Sequence, residues 1–236
     1  MGKLGFLIIH GFNGTTDEVK PLSEFLNAHG YSTYCPLLNG HGSTKKELSK
    51  SNYKTWIDSA QQAYNYLKTM CDKIIVIGFS MGGLIALNLS VNNDIRAIIT
   101  LSSPIKFCDL KLIFKKIIGD IEKMCFNNTK AYIAWLSQIP LSSYINFIML
   151  LYNTRQIIKS INIPCFIIQG KNDDISRWIS AKHIFENIIS TKKQIKYYDD
   201  APHLICKYKN SDTVFHDILS FAQKLEQAEI SKANAI

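Results

Sequence analysis

The stretch Lys73-Ile74-Ile75-Val76-Ile77-Gly78-Phe79-Ser80-Met81-Gly82-Gly83-Leu84-Ile85-Ala86-Leu87 decides how the rest of the chain is read. Its run of β-branched residues, Ile74 to Ile77, reads as a strand buried on both faces, while Leu84, Leu87 and Asn88 onward fall into helical spacing. A sharp turn therefore lies between them at Ser80. A strand that reverses into a helix this abruptly strains the turn residue, and side chains two positions before and after it would collide with the crossing backbone. Gly78 and Gly82 remove those two Cβ atoms. The serine hydroxyl then projects beyond the carboxyl end of the strand, where the first amides of the helix point. Glycines that merely close a strand and open a helix are the plainer reading of this spacing. The strand before and the helix after favour a nucleophile elbow, G-x-S-x-G.

Upstream, Leu4 to Ile9 reads as a first strand, followed by His10-Gly11-Phe12-Asn13-Gly14-Thr15-Thr16. Such a glycine-rich loop lets backbone N–H groups converge at the sheet's carboxyl edge, where they can hold developing negative charge. Asp17 to His29 carries Val19, Leu22, Phe25 and Leu26 on one helical face and stops at Gly30. Tyr31 to Cys35 is a short strand, and the loop after it holds His41 between Gly40 and Gly42, the setting of a loop-fixing hydrogen-bonder. The spacing predicts a helix over Ser51 to Cys71 and a strand over Ile95 to Leu101. Up to this point the alternation implies βαβ crossovers and a parallel sheet.

After Ser102-Ser103-Pro104 the rhythm breaks. From Ile105 to Ile161 no strand of the expected kind appears, which is more chain than an ordinary crossover needs. Helices are expected at 109–118, 121–137 and 141–159, forming a cap beside the elbow. Lysines 106, 111, 115, 116 and 123 alternate with apolar residues, as on a solvated outer face over an apolar underside. Pro164 to Gln169 restores a buried strand that runs into Gly170-Lys171-Asn172-Asp173-Asp174. Ile179 to Ile189 reads as a helix and Lys193 to Tyr198 as the last strand, with Asp199-Asp200-Ala201-Pro202-His203 beyond it. A closing helix spans about Asp212 to Leu225, and the polar tail 226–236 is expected to fray. The expectation is an α/β fold: a mostly parallel sheet of about six strands flanked by helices. Residues 1–103 and 162–225 form its core, and the helical cap 104–161 is inserted after the fourth strand.

Composition narrows the function. A chain of 236 residues that is 47% hydrophobic fits one α/β domain with a sizeable core. The six cysteines form no C-x-x-C pair, so neither a disulfide frame nor a zinc site is expected. The net charge of +8 is spread along the chain without a basic block, which argues against nucleic acid as a partner. The apolar run near Met1 is too short for a secretory leader and no run is long enough for a membrane span, so a cytoplasmic protein without integral membrane association is expected.

A serine hydroxyl needs a base to take its proton as it attacks. Three histidines fall at the carboxyl edge, His10, His41 and His203, and His203 alone lies downstream of both the serine and an edge carboxylate. The order Ser80, Asp173, His203 is the nucleophile, acid, base order of the α/β-hydrolase fold.

The motifs H-G-F-N-G at 10–14, N-G-H-G at 39–42, G-F-S-M-G-G at 78–83, Q-G-K-N-D-D at 169–174 and A-P-H at 201–203 together resemble the small capped bacterial carboxylesterases of the α/β-hydrolase superfamily. Monoacylglycerol lipases and cinnamoyl or feruloyl esterases look like near relatives, and the likeness runs from about residue 4 to residue 222. It implies Ser80 as nucleophile, His203 as base and then acid, and Asp173 as the carboxylate orienting the imidazole, with Asp174 at a variable position. The implied oxyanion hole is the backbone N–H of Phe12 and of Met81, the latter also following from the elbow, and both side chains would wall the acyl pocket. No metal and no organic cofactor is implied. The expected activity is hydrolysis of small-molecule esters of short to medium acyl chains through an acyl-enzyme, by a monomer or homodimer. A thioesterase or amidase using the same triad, and a non-hydrolytic ligand receptor on this fold, are the alternatives. Family members usually carry one or two strands before the H-G-F strand, where only Met1 to Lys3 stand here, so a sheet of six strands is expected; the chain also has Pro202 where glycine is common and Ser176 where an aliphatic residue is frequent.

Overall fold

The computed structural model describes residues 2–106 and 139–233, so the helices expected at 109–118 and 121–137 lie outside the described residues. β1 (Leu4–Ile9) is buried at every position. A short 3-10 turn at Thr16–Glu18 then leads into α1 (Lys20–Ala28), and the chain leaves that helix through Gly30 at φ +86°. β2 (Ser32–Tyr34) is followed by two helices where one was expected. α2 (Lys45–Lys50) is capped by the Thr44 side chain, and α3 (Tyr53–Lys68) opens on a reciprocal Asn52–Thr55 capping box. Leu48 is the one apolar residue of α2, too little to reveal a helical period.

β3 (Lys73–Phe79) and α4 (Met81–Leu89) flank the elbow, and β4 (Ala97–Leu101) follows. The described chain resumes into α5 (Leu141–Ile157), β5 (Cys165–Gly170), α6 (Trp178–Asn187), β6 (Lys193–Tyr198) and α7 (Ser211–Ala233). α7 runs well past the expected end near Leu225, which corrects the expectation of a tail frayed from 226. Tyr31 donates from its hydroxyl to Glu226 Oε2 at 2.8 Å and Arg96 donates to the Leu225 carbonyl at 2.8 Å, so tertiary contacts hold a polar helix that its own pattern would not. No helix among the described residues is long and apolar enough to cross a membrane.

The sheet is six-stranded in the order β2-β1-β3-β4-β5-β6, and every neighbouring pair is parallel. Alternation along each strand divides the core. Ile74 and Val76 pack with α3, α4, α5 and α6 on one face, whereas Ile75 and Ile77 pack with α1 and α7 on the other. α5 lies on α4: Phe147, Leu150 and Leu151 join the first of these cores, and Asn88 of α4 donates to Thr154 Oγ1 at 2.7 Å. Because β2 and β3 flank β1 on opposite sides, the chains leaving β1 and β3 diverge and open a crevice at the sheet's carboxyl edge, where α/β folds hold their ligands.

Candidate active site

Ser80 follows the last residue of β3 with φ 52° and ψ −119°, a left-handed conformation that costs a non-glycine residue about 1–3 kcal/mol. Packing imposes it. A Cβ on Gly78 would stand 2.2 Å from the Gly82 carbonyl oxygen, and one on Gly82 would stand 2.2 Å from the Ile9 carbonyl oxygen. The two glycines thus let α4 cross directly over the ends of β1 and β3, as the elbow pattern requires. The Ser80 N–H donates to the Leu101 carbonyl at 2.8 Å, which fixes the turn to β4.

The carboxyl ends of β5 and β6 supply the partners. Gly170 has room only for hydrogen, since a Cβ there would meet the Ala201 carbonyl oxygen at 2.2 Å, and this close approach brings the loops after β5 and β6 together. His203 Nε2 lies 3.1 Å from Ser80 Oγ, and His203 Nδ1 lies 3.0 and 2.9 Å from the two oxygens of Asp173. A carboxylate only accepts, so Nδ1 carries the proton and Nε2 is left to accept from the serine hydroxyl. Asp173 is buried and fully engaged: Oδ1 accepts from the N–H groups of Ile175 and Ser176 at 2.9 and 2.7 Å, and Oδ2 from the Gln169 amide at 2.9 Å. Asp174, its neighbour, is exposed. The Phe79 ring, 5.1 Å from the imidazole, walls His203 on the β3 side.

The other two histidines at this edge have fixed tasks. His10 donates from Nδ1 to the Gly11 carbonyl at 2.8 Å and accepts the Leu38 N–H on Nε2 at 3.1 Å, so both ring nitrogens are occupied. His41 donates to the Asn39 carbonyl at 3.2 Å, consistent with its expected part in fixing the loop. Burial pushes both down to about 4, and they stay neutral near pH 7.

Met81 follows Ser80 directly at the end of β3, Phe12 lies in the loop just past the end of the neighbouring β1, and no acceptor for the N–H of either is found among the described residues. The Phe12 ring stacks on Phe147 of α5 at 5.2 Å, with the Trp56 ring at 5.7 Å, an aromatic surface beside its own N–H. Sequence patterns had not singled out Phe147, Trp56 or Gln169 for the site. Gln169 stood in a quoted motif, yet its role depends on a side chain folded back onto Asp173, which no spacing rule displays.

The pattern describing the alpha/beta hydrolase fold matches residues 6–156, well over half of the chain. The chain belongs to the alpha/beta hydrolase fold family. Within that family it is similar to a Bacillus subtilis (strain 168) carboxylesterase, 26% identical over 236 residues that cover 95% of this chain and 94% of the relative. It is also similar to a thermostable monoacylglycerol lipase of Bacillus sp. (strain H-257), at 25% identity covering 94% and 92% of the two chains. Among solved alpha/beta hydrolases, a structure from the work on LipS and LipT, two metagenome-derived lipolytic enzymes, superposes with a TM-score of 0.80 at 20% identity, covering 95% of each chain. That last likeness speaks for the fold.

Proposed function

We propose that the chain is a serine carboxylesterase that transfers the acyl group of a small ester to Ser80 and then to water. The observation that carries this is the unbroken relay from Ser80 Oγ through the imidazole of His203 to the buried carboxylate of Asp173. The relatives named carboxylesterase and monoacylglycerol lipase support oxygen esters as the substrate class.

The chemistry follows from the geometry. As Ser80 Oγ attacks the ester carbonyl, His203 Nε2 accepts its proton, and Asp173 holds the imidazolium through Nδ1. The N–H groups of Phe12 and Met81 receive the charge forming on the carbonyl oxygen, and losing one such donor costs about 3 kcal/mol in the barrier. His203 then protonates the departing alcohol, water enters, and the same histidine activates it against the acyl-enzyme. The half-buried Phe12 ring, stacked on Phe147 and backed by the buried Trp56, gives short to medium acyl chains an apolar wall.

Hydrolysis of a p-nitrophenyl ester series from acetate to dodecanoate, by wild type and by Ser80→Ala, tests the proposal. Wild-type turnover that falls by about four to six orders of magnitude in the variant is the expected result. Loss of less than tenfold, or no wild-type turnover of any ester alongside turnover of thioesters or amides, would overturn it.

A further inference from the structure

The two outer glycines of His10-Gly11-Phe12-Asn13-Gly14 are unusual in that neither has a positive φ; Asn13, at φ 55°, makes the left-handed step of this loop. Backbone conformation therefore does not demand glycine at either place. Space does. A Cβ on Gly14 would stand 2.2 to 2.5 Å from all three carboxyl atoms of Glu18, and one on Gly11 would stand 3.2 Å from Glu18 Oε2 and 3.2 Å from the Phe79 ring. The Glu18 carboxylate lies inside the loop, where Oε2 accepts the Gly11 N–H at 2.9 Å. Its own main chain is fixed by the 3-10 turn, with the Glu18 N–H donating to the Thr15 carbonyl at 3.1 Å.

We infer that Glu18 is a positioning residue for oxyanion stabilisation: seated between Gly11 and Gly14, its carboxylate pins the peptide run from which Phe12 presents its N–H. The inference rests on the acyl-transfer reading above. An oxyanion donor acts only if it is aimed before charge develops, and a loop free to swing would lose that advantage. The hydrogen bond to Gly11 falls one residue before Phe12, so the pin acts on the peptide next to the donor. Burial raises the Glu18 acid, while the Gly11 N–H and the facing charges of His203 and Lys207 draw it back toward the ionised form.

The test compares full-length wild type, Glu18→Ala, Glu18→Gln, Gly14→Ala and Ser80→Ala. The readouts are kcat and KM on one p-nitrophenyl ester, Ki for a trifluoromethyl ketone of matching acyl length, and the melting temperature. For Glu18→Ala, kcat should fall by about ten- to a hundredfold with KM moved less than about threefold, and ketone Ki should weaken by a similar factor, because the ketone adduct uses the same hole. Glu18→Gln keeps an oxygen that can accept the Gly11 N–H and should recover to within about fivefold of wild type. Gly14→Ala, whose Cβ displaces the carboxylate without straining φ, should mimic Glu18→Ala, and it carries the test together with Glu18→Gln if Glu18→Ala does not fold. Three results would overturn the inference: kcat of the folded Ala variants within twofold of wild type, a kcat loss with ketone Ki unchanged, or a Gln variant as poor as Ala. These leave the esterase reading intact so long as wild type turns over and Ser80→Ala does not. Wild type inert toward ester and ketone alike would remove both.

Discussion

Asp173 and Asp174 stand side by side in sequence, yet one accepts hydrogen bonds from Ile175, Ser176, Gln169 and His203 while the other is exposed. Asp173→Asn leaves the shape of the site but replaces an acceptor with a donor against His203 Nδ1, which favours the wrong tautomer. Its kcat should fall by about three to four orders of magnitude, and Asp174→Asn should stay within about threefold of wild type. Matched kinetics on one ester decide this, and a larger loss in Asp174→Asn would contradict it. At this scale the sequence was most readable where chemistry follows chain order: Ser80, Asp173 and His203 each sit just past a strand's carboxyl end, so strand prediction alone brings them to one edge. Phe147 was hidden because its aromatic neighbour Phe12 comes from a distant part of the chain, whereas Gln169 and Glu18 fold back onto residues four to seven positions away, which no helical or strand period displays. Nothing in the run Thr16-Asp17-Glu18 separates the glutamate that turns inward from the exposed aspartate before it.

Elements were legible where burial is two-sided. β1, β3, β4 and β5 are apolar runs buried at nearly every position, and the elbow between β3 and α4 was fixed by its glycines. Polar elements escaped: α2 offers one buried residue, and α7 continues past Leu225, where Arg96 and Tyr31 hold residues 225 and 226, to Ala233. Glycines of different duty should also respond differently. Gly82→Ala drives a methyl group into the Ile9 carbonyl, backbone against backbone, and should cost on the order of 3 kcal/mol or more, or abolish soluble folded protein. Gly30→Ala meets open space and is penalised only by its φ of +86°, about 1 kcal/mol. Urea unfolding of both variants checks the ranking, and equal losses would refute it.

For the molecule as a whole, acid sensitivity should come from its buried histidines. His10 and His41, in ring contact at 5.2 Å, are both held down to about 4, whereas the unfolded chain protonates them near 6.5. Between those values the unfolded state binds more protons, so stability present at neutral pH is lost as pH falls. From pH 7 to pH 5 the pair should cost about 2–4 kcal/mol, partly offset by Glu18, whose raised acid favours the folded state as pH falls. A urea midpoint that does not move between these pH values would contradict this, and His41→Gln should flatten the response. A mostly parallel sheet of about six strands followed from the βαβ rhythm, but the strand order and the seating of α5 did not, because a helix pattern does not name the surface it covers. That seating has a practical outcome. On the proposed acyl-transfer function Phe12 lends its N–H to the oxyanion and its ring to the acyl wall, and that ring rests on Phe147. If that proposal holds, reshaping the acyl wall through α5 will disturb the aim of the donor too, and selectivity and turnover should change together.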